Sequence, residues 1–479
     1  MFAKKALYPL LCVSLLGMVA CGDESSSVND PTSSYTPGTT PPVYTDPNTP
    51  LSSGGGAVDP LPSSASNPVA APSGGYAALA STINAVRPDE LYVGFVGANV
   101  VSSETDAATY PSLAGDFSAV FTADYLPASR VAWSAQTNGG YKIQCSVNDA
   151  TVPLMKSRAC TVSEGIGYGM LISFFANDAD TFFKLWNYNR AFRKYNGTTN
   201  LMPWIVESFS YNIVDDASAT DADLDIATAL ILMYYKTGLE AYKTDALLII
   251  NDLWKAEINQ ANNLILSGNT PMWNGKSAKY EITYNLSYFS PVALRLFAMV
   301  DPAHNWNAVL DAMYTYMAKV QAGGTGVFPD WSNEAGTAVK APNGSADATY
   351  YRFDKESVRI PWRIAWDYYW FQDTRAAAIL NKLNEFIVEK SAGSVTSTAL
   401  GTSYSWNLSL GADMTANTVS GMWQGAWCAT GLAGNSTWLN ACTTELNTKT
   451  LFNTSTSYFT DILLVLYSQL LNGKFIKPF

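Results

Sequence analysis

TVSEGIGYGM, residues 161–170, and ATDADLDIA, residues 219–227, are the two most informative segments of this chain. Each segment places an acid, or a cluster of acids, where apolar residues at helical spacing begin. Only 14% of all residues are charged, so these acids stand out from their surroundings. We therefore predict two helices that begin at these acids and an active site that depends on carboxylates.

After residue 76, apolar residues recur at helical spacing far more often than they alternate as in a β-strand. Helical segments are predicted at residues 167–175, 182–192, 226–235, 241–254, 291–299, 306–320, 364–371, 376–388 and 458–471. A series of consecutive helix pairs of this length must either close into a ring or stack as a solenoid. Because no residue repeat of fixed period is visible, we predict an all-α fold whose helices close into a barrel.

The N-terminus has the features of an export signal. Two lysines precede the apolar run Ala6–Ala20, which is too short to span a bilayer as a mature helix. The run ends in LGMVAC, which resembles a bacterial lipoprotein box in which Cys21 would be lipidated. Met18 is less usual in such a box, so plain secretion remains open. We predict that residues 1–21 are a signal peptide of an outer-membrane, cell-surface or secreted protein.

Residues 22–75 consist mainly of Ser, Thr, Pro and Gly and contain almost no large apolar side chains. Such a segment buries too little surface to fold, so we predict a flexible linker. Residues 76–479 are long enough for one large domain or two ordinary ones. Because no second low-complexity linker interrupts them, we predict one catalytic domain.

Beyond the linker the chain has four cysteines, and two local pairs are the simplest connectivity: Cys145 with Cys160, and Cys428 with Cys442. Four cysteines allow three disulfide arrangements. A four-cysteine zinc site is the rival interpretation, but the chain has no CxxC spacing. Disulfides also agree with an exported protein, so we predict the two local bonds.

The composition limits which binding partners and which catalytic acid and base residues are plausible. A net charge of −11 makes nucleic acid and anionic membranes poor partners. The 14 Trp and 27 Tyr residues suit sugar rings, although most of them are expected in the core. The one histidine, His304, lies in a segment predicted to be a turn leading into a helix. Carboxylates are therefore the main candidates for acid and base.

Seven segments occur in the same order as in glycoside hydrolase family 8, which the chain resembles. They are SEGIGYGM (163–170), LWNYN (185–189), LMPW (201–204), ATDADLDIA (219–227), NLSYFSP (285–291), FPDW (328–331) and VRIPWRIAWDY (358–368). Each string alone is weak, but the ordered set is specific. Members of the family are inverting hydrolases of β-linked polysaccharides, and their fold is an (α/α)6 barrel. The resemblance therefore implies this fold and this activity for residues 76–479.

The resemblance implies two roles at helix starts. The family's SEG glutamate is the general acid, which corresponds to Glu164, and the first aspartate of the second motif contacts the sugar at the cleavage point, which corresponds to Asp221. Gly165 leaves the backbone beside Glu164 unobstructed, and a partly apolar site would raise the pKa of this acid. The alternative for Glu164 is a first-turn acid that complements the helix dipole. Thr220 is predicted to cap the second helix.

The general base is where the sequence departs from the family. Many members place an aspartate three residues before the arginine of the RxPWR string, which is Arg359 here. The resemblance therefore implies Glu356 as base, with Asp354 as its competitor. An inverting site leaves roughly 6.5 to 9.5 Å between its carboxyl groups for a water, so a longer side chain can be accommodated. A solvated charged turn, with the base elsewhere, stays open.

Four further residues fall in or near segments that match the family's cleft, and the resemblance implies that they bind substrate: Trp133, Trp204, Tyr288 and Arg359. Trp204 is the best candidate for stacking on a sugar. Arg359 could keep the base ionised, or form a structural ion pair. Three tryptophans at helical spacing are instead expected in the core: Trp362, Trp366 and Trp370.

We predict an inverting, endo-acting hydrolase of β-1,4-linked polysaccharide that works as a monomer without a metal ion or organic cofactor. The ATDADLDIA form is closer to glucanase and chitosanase members, so cellulose or mixed-linkage glucan is favoured. Xylanase or chitosanase activity remains an alternative, because Lys355 and Glu356 depart from the commoner pattern. A surface lipoprotein that binds glycan without cutting it is the alternative of another class. Contact with a membrane is expected only through the N-terminal lipid.

Overall fold

A computed structural model describes residues 76–102, 141–145, 160–193, 199–207, 213–275, 279–342, 349–415, 418–454 and 457–479. The predicted signal peptide with Cys21, the linker and Trp133 lie outside the described residues. Across the described ranges, no helix is both long enough and apolar enough to span a bilayer.

The described residues form twelve α-helices in two alternating layers. In chain order they are α1 Arg87–Asn99, α2 Ser163–Phe175, α3 Ala179–Arg193, α4 Thr220–Thr237, α5 Glu240–Glu257, α6 Pro291–Val300, α7 Trp306–Ala322, α8 Ile360–Phe371, α9 Thr374–Lys390, α10 Gly421–Thr430, α11 Ser436–Leu446 and α12 Tyr458–Leu471. The even-numbered helices are buried along most of their length, whereas the odd-numbered helices bury one face. A helix that is buried on all sides must be surrounded by other elements.

The even-numbered helices form a closed inner ring. Each one contacts the next, and α12 contacts α2. Every odd-numbered helix packs on the outside of an even-numbered one, and the first, α1, packs on the last, α12. The fold is therefore an (α/α)6 barrel, which confirms the prediction of an all-α chain that closes on itself.

Helices α2 and α4 approach closely because glycine lines the contact. A Cβ atom at Gly167 would lie 3.0 Å from the Cβ of Asp225 and 3.2 Å from the carbonyl oxygen of Ala222. Those separations leave almost no space for any larger residue. The glycines of GIGYG therefore serve helix packing, and they bring the starts of α2 and α4 side by side.

Short strands and 3₁₀ turns connect the helices. The antiparallel sets are β1 Val100–Ser102 with β2 Tyr141–Ile143; β3 Cys160–Val162 with β4 Pro203–Glu207 and β5 Ile213–Ser218; β6 Ile258–Asn259 with β7 Leu264–Ile265; β8 Thr283–Tyr284 with β9 Ser332–Asn333; and β10 Arg352–Phe353 with β11 Tyr404–Ser405. Strand β3 continues directly into α2, and β5 leads into α4. The 3₁₀ turns Leu286–Tyr288 and Ser357–Arg359 precede α6 and α8.

The C-terminal tail closes one end of the barrel. The ring of Phe475 stacks on that of Phe175 at 3.7 Å between centroids, and Trp370 Nε1 donates a hydrogen bond to the Phe475 carbonyl at 2.6 Å. Phe175 and Trp370 lie at the C-terminal ends of α2 and α8, so the tail covers the end where these helices finish. Trp362, Trp366 and Trp370 are fully buried, as predicted.

Both disulfide bonds join neighbouring elements. Cys145 follows β2 and is bonded to Cys160 at the start of β3, and Cys428 in α10 is bonded to Cys442 in α11. These are the two local pairs that the sequence favours. Each bond fixes a connection within the helical framework.

Candidate active site

Three charged side chains meet where inner helices begin. Glu164 is the second residue of α2, Asp221 is the second residue of α4, and Arg359 immediately precedes α8. Arg359 Nη1 donates to Glu164 Oε2 at 2.5 Å and to Asp221 Oδ2 at 2.7 Å. Each of these groups lies at the N-terminal end of its inner helix. The three helices therefore begin at the same end of the barrel. The structure therefore brings together three of the predicted site residues.

Glu356 joins the same guanidinium group. Arg359 Nη2 donates to Glu356 Oε2, and Asn285 Nδ2 donates to the same oxygen at 2.7 Å. Asp354 lies at the other end of this turn, where its backbone N–H donates to Asp330 Oδ1 at 3.1 Å. One buried arginine thus binds three carboxyl groups, and Glu356 is the third.

The surroundings of Glu164 favour its protonated form. Burial raises the pKa of Glu164 to about 7, although Arg359 opposes this shift, and the negative charge of Asp221 adds to it. Tyr458, the first residue of α12, donates a hydrogen bond from its hydroxyl to Glu164 Oε1 at 2.8 Å and lowers the pKa. The side chain of Glu164 is 17% exposed, so its carboxyl group can reach the solvent side of the barrel.

Asp221 is more deeply placed, with 1% of its side chain exposed. Burial raises the pKa of this carboxyl group, while Arg359 and then Arg363 lower it. Its Oδ1 atom also accepts the backbone N–H of Ala222 at 2.9 Å. Asp221 is therefore more deeply buried than Glu164, and the guanidinium of Arg359 and the N-terminus of α4 compensate its negative charge.

The other two aspartates of ATDADLDIA support the framework. Asp225 forms two hydrogen bonds with Arg363, at 2.7 and 2.8 Å, and both side chains are buried. Asp223 accepts the backbone N–H of Met202 at 3.1 Å and so connects α4 to the LMPW segment. Thr220 is the first residue of α4 and Ala219 is its N-cap, so the predicted capping role of Thr220 is wrong. The backbone that follows β5 stays extended up to Ala219. The helix therefore begins at Thr220 itself, one residue earlier than an N-cap at Thr220 would require.

The aromatic residues expected in the cleft occupy different positions. The ring of Tyr288 lies 5.5 Å from the guanidinium carbon of Arg359, so it belongs to the cluster. Trp204 is half-buried in β4, the strand between β3 and β5. Its neighbour Ile205 pairs with Val162, the last residue of β3 before α2 begins. Trp133 lies outside the described residues.

The sequence interpretation missed several residues of this site. Asn285 and Asp330 lie in the quoted segments NLSYFSP and FPDW, but their partners come from other parts of the chain. Tyr458 is the first residue of a strongly apolar helix, and nothing in its local pattern marks it. His304, by contrast, lies just before α7 with its Nδ1 2.7 Å from Asp301 Oδ2, in agreement with the predicted turn.

Two tryptophans form a further aromatic pair. The rings of Trp273 and Trp331 lie 5.8 Å apart between centroids, at an angle of 32°. Asn269, in the same loop as Trp273, accepts the backbone N–H of Ser218 at 3.0 Å, two residues before α4 begins. Trp273 therefore lies on a loop that contacts the segment leading into α4, and Trp331 follows Asp330 in the chain. Trp331 belongs to the quoted segment FPDW, whereas Trp273 has no sequence pattern that separates it from a core tryptophan.

Among the described residues, no group of three or more His, Cys, Asp or Glu side chains is arranged to hold a metal ion. The cluster around Arg359 is held by hydrogen bonds and ion pairs between the chain's own groups. For catalysis, the cluster provides a partly exposed acid, Glu164, and a second carboxyl group, Glu356. Both are hydrogen-bonded to the guanidinium group of Arg359.

Solved structures with the same architecture define the class of this fold. The apo β-1,3-1,4-glucanase from Paenibacillus sp. X4 superposes with a TM-score of 0.64 at 22% identity, over 83% of this chain and 95% of that one. Rex8A from Paenibacillus barcinonensis, complexed with xylose, gives 0.56 at 17% identity, over 78% and 94%. These superpositions show that the chain shares its (α/α)6-barrel fold with both proteins.

The family follows from the sequence match. Residues 146–474 match the model of glycosyl hydrolases family 8, and the chain belongs to this family. Endoglucanase A from Acetivibrio thermocellus is 33% identical over 241 residues, which are 48% of this chain and 47% of that protein. The matched region thus spans about half the length of such relatives. The resemblance carried by the seven ordered motifs is confirmed.

Proposed function

We propose that this protein is an inverting, endo-acting glycoside hydrolase of β-1,4-linked glucan. The observation that carries the proposal is the binding of three carboxyl groups by the buried guanidinium of Arg359, where the inner helices begin. Inversion by single displacement requires one carboxylic acid and one carboxylate on opposite sides of the glycosidic bond. Glu164 and Glu356 supply that pair.

In this mechanism Glu164 is the general acid. Its pKa, raised by burial to about 7, keeps a substantial protonated fraction near neutral pH. Its partial exposure allows the carboxyl group to reach a glycosidic oxygen. Glu164 gives its proton to the leaving oxygen as the bond to the anomeric carbon breaks, and ends as a carboxylate that Arg359 stabilises.

Glu356 is the general base. Arg359 and Asn285 both donate hydrogen bonds to its carboxyl group, and these contacts hold that group in place. Its side chain is 25% exposed, so a water molecule can approach. Glu356 takes a proton from that water as its oxygen attacks the anomeric carbon from the face opposite Glu164. If Glu356→Gln kept normal turnover while Asp354→Asn lost it, the base would be Asp354.

Asp221 places a negative charge where positive charge develops on the sugar ring. An oxocarbenium-like transition state is stabilised by such a charge, provided that it is held in place before the reaction. The hydrogen bonds of Asp221 to Arg359 and to the start of α4 hold it in this way. No step of the mechanism requires a metal ion or an organic cofactor.

Glucan is the preferred substrate because the relatives named as endoglucanase and β-1,3-1,4-glucanase share this chain's family or fold. Trp204 and Tyr288, together with Trp133 and Arg359, would contact the sugars. Xylan is the second candidate, supported by the xylose complex of a protein of the same fold. Chitosan is a further candidate, since a cationic polymer suits acidic groups. A role limited to glycan binding is opposed by the complete set of acids around Arg359.

We also propose that the protein is exported and works as a monomer. The proposal for export rests on residues 1–21 and on the two disulfide bonds, which suit an oxidising compartment. Attachment through Cys21 would make it a lipoprotein of the outer membrane or cell surface. Labelling with a radioactive fatty acid tests the anchor, because an unlabelled mature protein would exclude it.

The direct test is the release of reducing ends by the purified protein. Carboxymethyl-cellulose, mixed-linkage glucan, xylan and chitosan are compared, with Glu164→Gln in parallel. We expect activity on one of the glucans and a loss of about 10³-fold in the variant, typical for removal of a general acid. Binding to a polymer with no release of reducing ends from any of the four would instead support the glycan-binding role.

A further inference from the structure

The turn that carries Glu356 is fixed from outside by Asp330, a side chain that is 1% exposed. Asp330 lies in the loop after α7, within FPDW. Its Oδ1 atom accepts three hydrogen bonds: from the backbone N–H of Asp354 at 3.1 Å, from the backbone N–H of Ser357 at 2.9 Å and from the Ser357 hydroxyl at 2.8 Å. These donors lie on either side of Glu356, so one oxygen atom fixes the backbone of the whole turn.

The carboxylate of Glu356 is fixed by a second buried side chain, Asn285. Asn285 Oδ1 accepts hydrogen bonds from the backbone N–H of Ser287 at 3.1 Å and from its hydroxyl at 2.6 Å. Those two donors determine which end of the amide faces Ser287. The Nδ2 end must then face Glu356, to which it donates at 2.7 Å. The orientation of Asn285 is therefore set before it meets the carboxylate.

We propose that Asp330 and Asn285 are the positioning residues of the general base: Asp330 holds its backbone and Asn285 holds its carboxylate. The inference rests on the proposed function, in which Glu356 is that base. A base must lie within hydrogen-bond reach of the attacking water, and a misplacement of about 1 Å can reduce the rate about 100-fold. Two rigid contacts from separate loops provide such a constraint.

Asp330 acts in this arrangement as a neutral acceptor. Its Oδ2 atom is buried and has no hydrogen-bond partner in the described parts of the chain, which is unfavourable for an ionised carboxylate. Burial first, and then the charges of Asp354 and Glu356, hold the pKa of Asp330 well above its usual range. Asparagine tests this role, because its amide oxygen can accept the same three hydrogen bonds without carrying a charge.

Among the residues that the structure describes, five ionisable groups from other elements or from its own turn interact electrostatically with Glu356. They are Arg359 on its own turn, Asp330 from the FPDW loop, Tyr288 from the turn before α6, Asp221 from α4 and Glu164 from α2. Asn285 adds a neutral donor. Replacement of Asn285 by aspartate would put a second negative charge against Glu356 and make ionisation of the base less favourable.

The test compares Asp330→Ala, Asp330→Asn, Asn285→Asp and Glu356→Gln in the full protein. Each variant is assayed for kcat and KM on the polymer that the wild type hydrolyses, across the pH range. We expect Asp330→Ala to lower kcat about 10- to 100-fold with KM nearly unchanged, and Asp330→Asn to restore kcat to within about threefold of wild type. Asn285→Asp should move the acidic limb of the pH profile to higher pH.

Asp178→Ala provides the matched control for folding. Asp178 accepts the backbone N–H and the hydroxyl of Thr181, at 3.0 and 2.8 Å, and the Tyr92 hydroxyl at 2.8 Å, on the outer helix layer away from the acids. Its loss should lower the melting temperature and leave kcat and the pH profile unchanged. An effect of Asp330→Ala on stability alone is thus separable from an effect on the base.

Three results would overturn the inference. If Asp330→Asn were as inactive as Glu356→Gln, the charge of Asp330 would be required and its role as a neutral acceptor would be wrong. If Asp330→Ala and Asn285→Asp both kept the wild-type kcat and pH profile while Glu356→Gln lost activity, the positioning roles would fail and the base would stand. If Glu356→Gln itself stayed fully active, the assignment of the base would fail first.

Discussion

At the scale of single residues, one arginine organises the site. Arg359 binds Glu164, Asp221 and Glu356, and Tyr288 faces it at 5.5 Å. All five are residues that the sequence motifs pointed to. The partners that tune them were not predictable, because a hydrogen bond between Tyr458 and Glu164 joins positions 294 residues apart, and no local pattern records such a contact.

Tyr458→Phe tests how the acid is tuned. The tyrosine hydroxyl donates to Glu164 and lowers its pKa, so its removal should raise that pKa. A general acid is active only while protonated, and the alkaline limb of the pH–rate profile should therefore move to higher pH. Rates on the favoured polymer from pH 5 to 9 measure the shift. A limb that moves downward would show that Tyr458 stabilises the protonated acid instead.

At the scale of elements, helix starts create the site. The starts of α2, α4 and α12 and the turn before α8 supply its groups, while β3 and β5 deliver the chain to the first two of these helices. Nine of the twelve described helices were predicted, because apolar residues at helical spacing are a strong signal, whereas α1, α10 and α11 were missed. Most of the strands could not, because β6 to β11 are two residues long and β1 to β3 are three, too short for alternation to appear. The start of α4 at Thr220 lies one residue before the predicted start at Asp221.

Glu257→Gln tests the contact between α4 and α5. Glu257 ends α5, is fully buried, and accepts a hydrogen bond from the Ser218 hydroxyl just before α4. Burial raises its pKa to about 8, so the folded chain keeps a proton that the unfolded chain releases above its ordinary value of 4.5. Folding stability should then fall as the pH rises from about 5 to 8.

The glutamine variant cannot ionise, so it should escape this fall. The difference in unfolding free energy, variant minus wild type, is expected to become more positive between pH 5 and pH 8. Urea unfolding at several pH values measures both curves. Curves that stay parallel across this range would mean that Glu257 ionises as readily in the fold as in the unfolded chain.

At the scale of the whole molecule, the barrel is closed at one end and reactive at the other. The contact between α12 and α2 completes the ring, and α1 packs on α12, so the first and last described helices are neighbours. The C-terminal tail covers the end opposite the acids through Phe475. Closure was predictable from the long train of helices without a repeat. The packing of the tail was not, because residues 472–479 carry no periodic pattern.

Phe475→Ala tests this closure. Phe475 is fully buried against the ends of α2 and α8, and loss of such a ring costs about 3 to 5 kcal/mol of stability. The neighbouring Ile476 is 62% exposed, so Ile476→Ala should change the unfolding free energy by less than about 0.5 kcal/mol. Denaturant unfolding compares the two variants. Equal effects of both substitutions would show that the tail does not seal the barrel.

The proposed mechanism depends on single displacement at the anomeric carbon by Glu164 and Glu356. Proton NMR of the first reducing ends released from mixed-linkage β-glucan by the purified protein tests this most directly, provided that spectra are taken before mutarotation. Inversion predicts that the α-anomer accumulates first and relaxes to the equilibrium mixture. If the β-anomer appeared first, one of the two carboxylates would have to act as a nucleophile, and the assignment of Glu356 as a base acting on water would be contradicted.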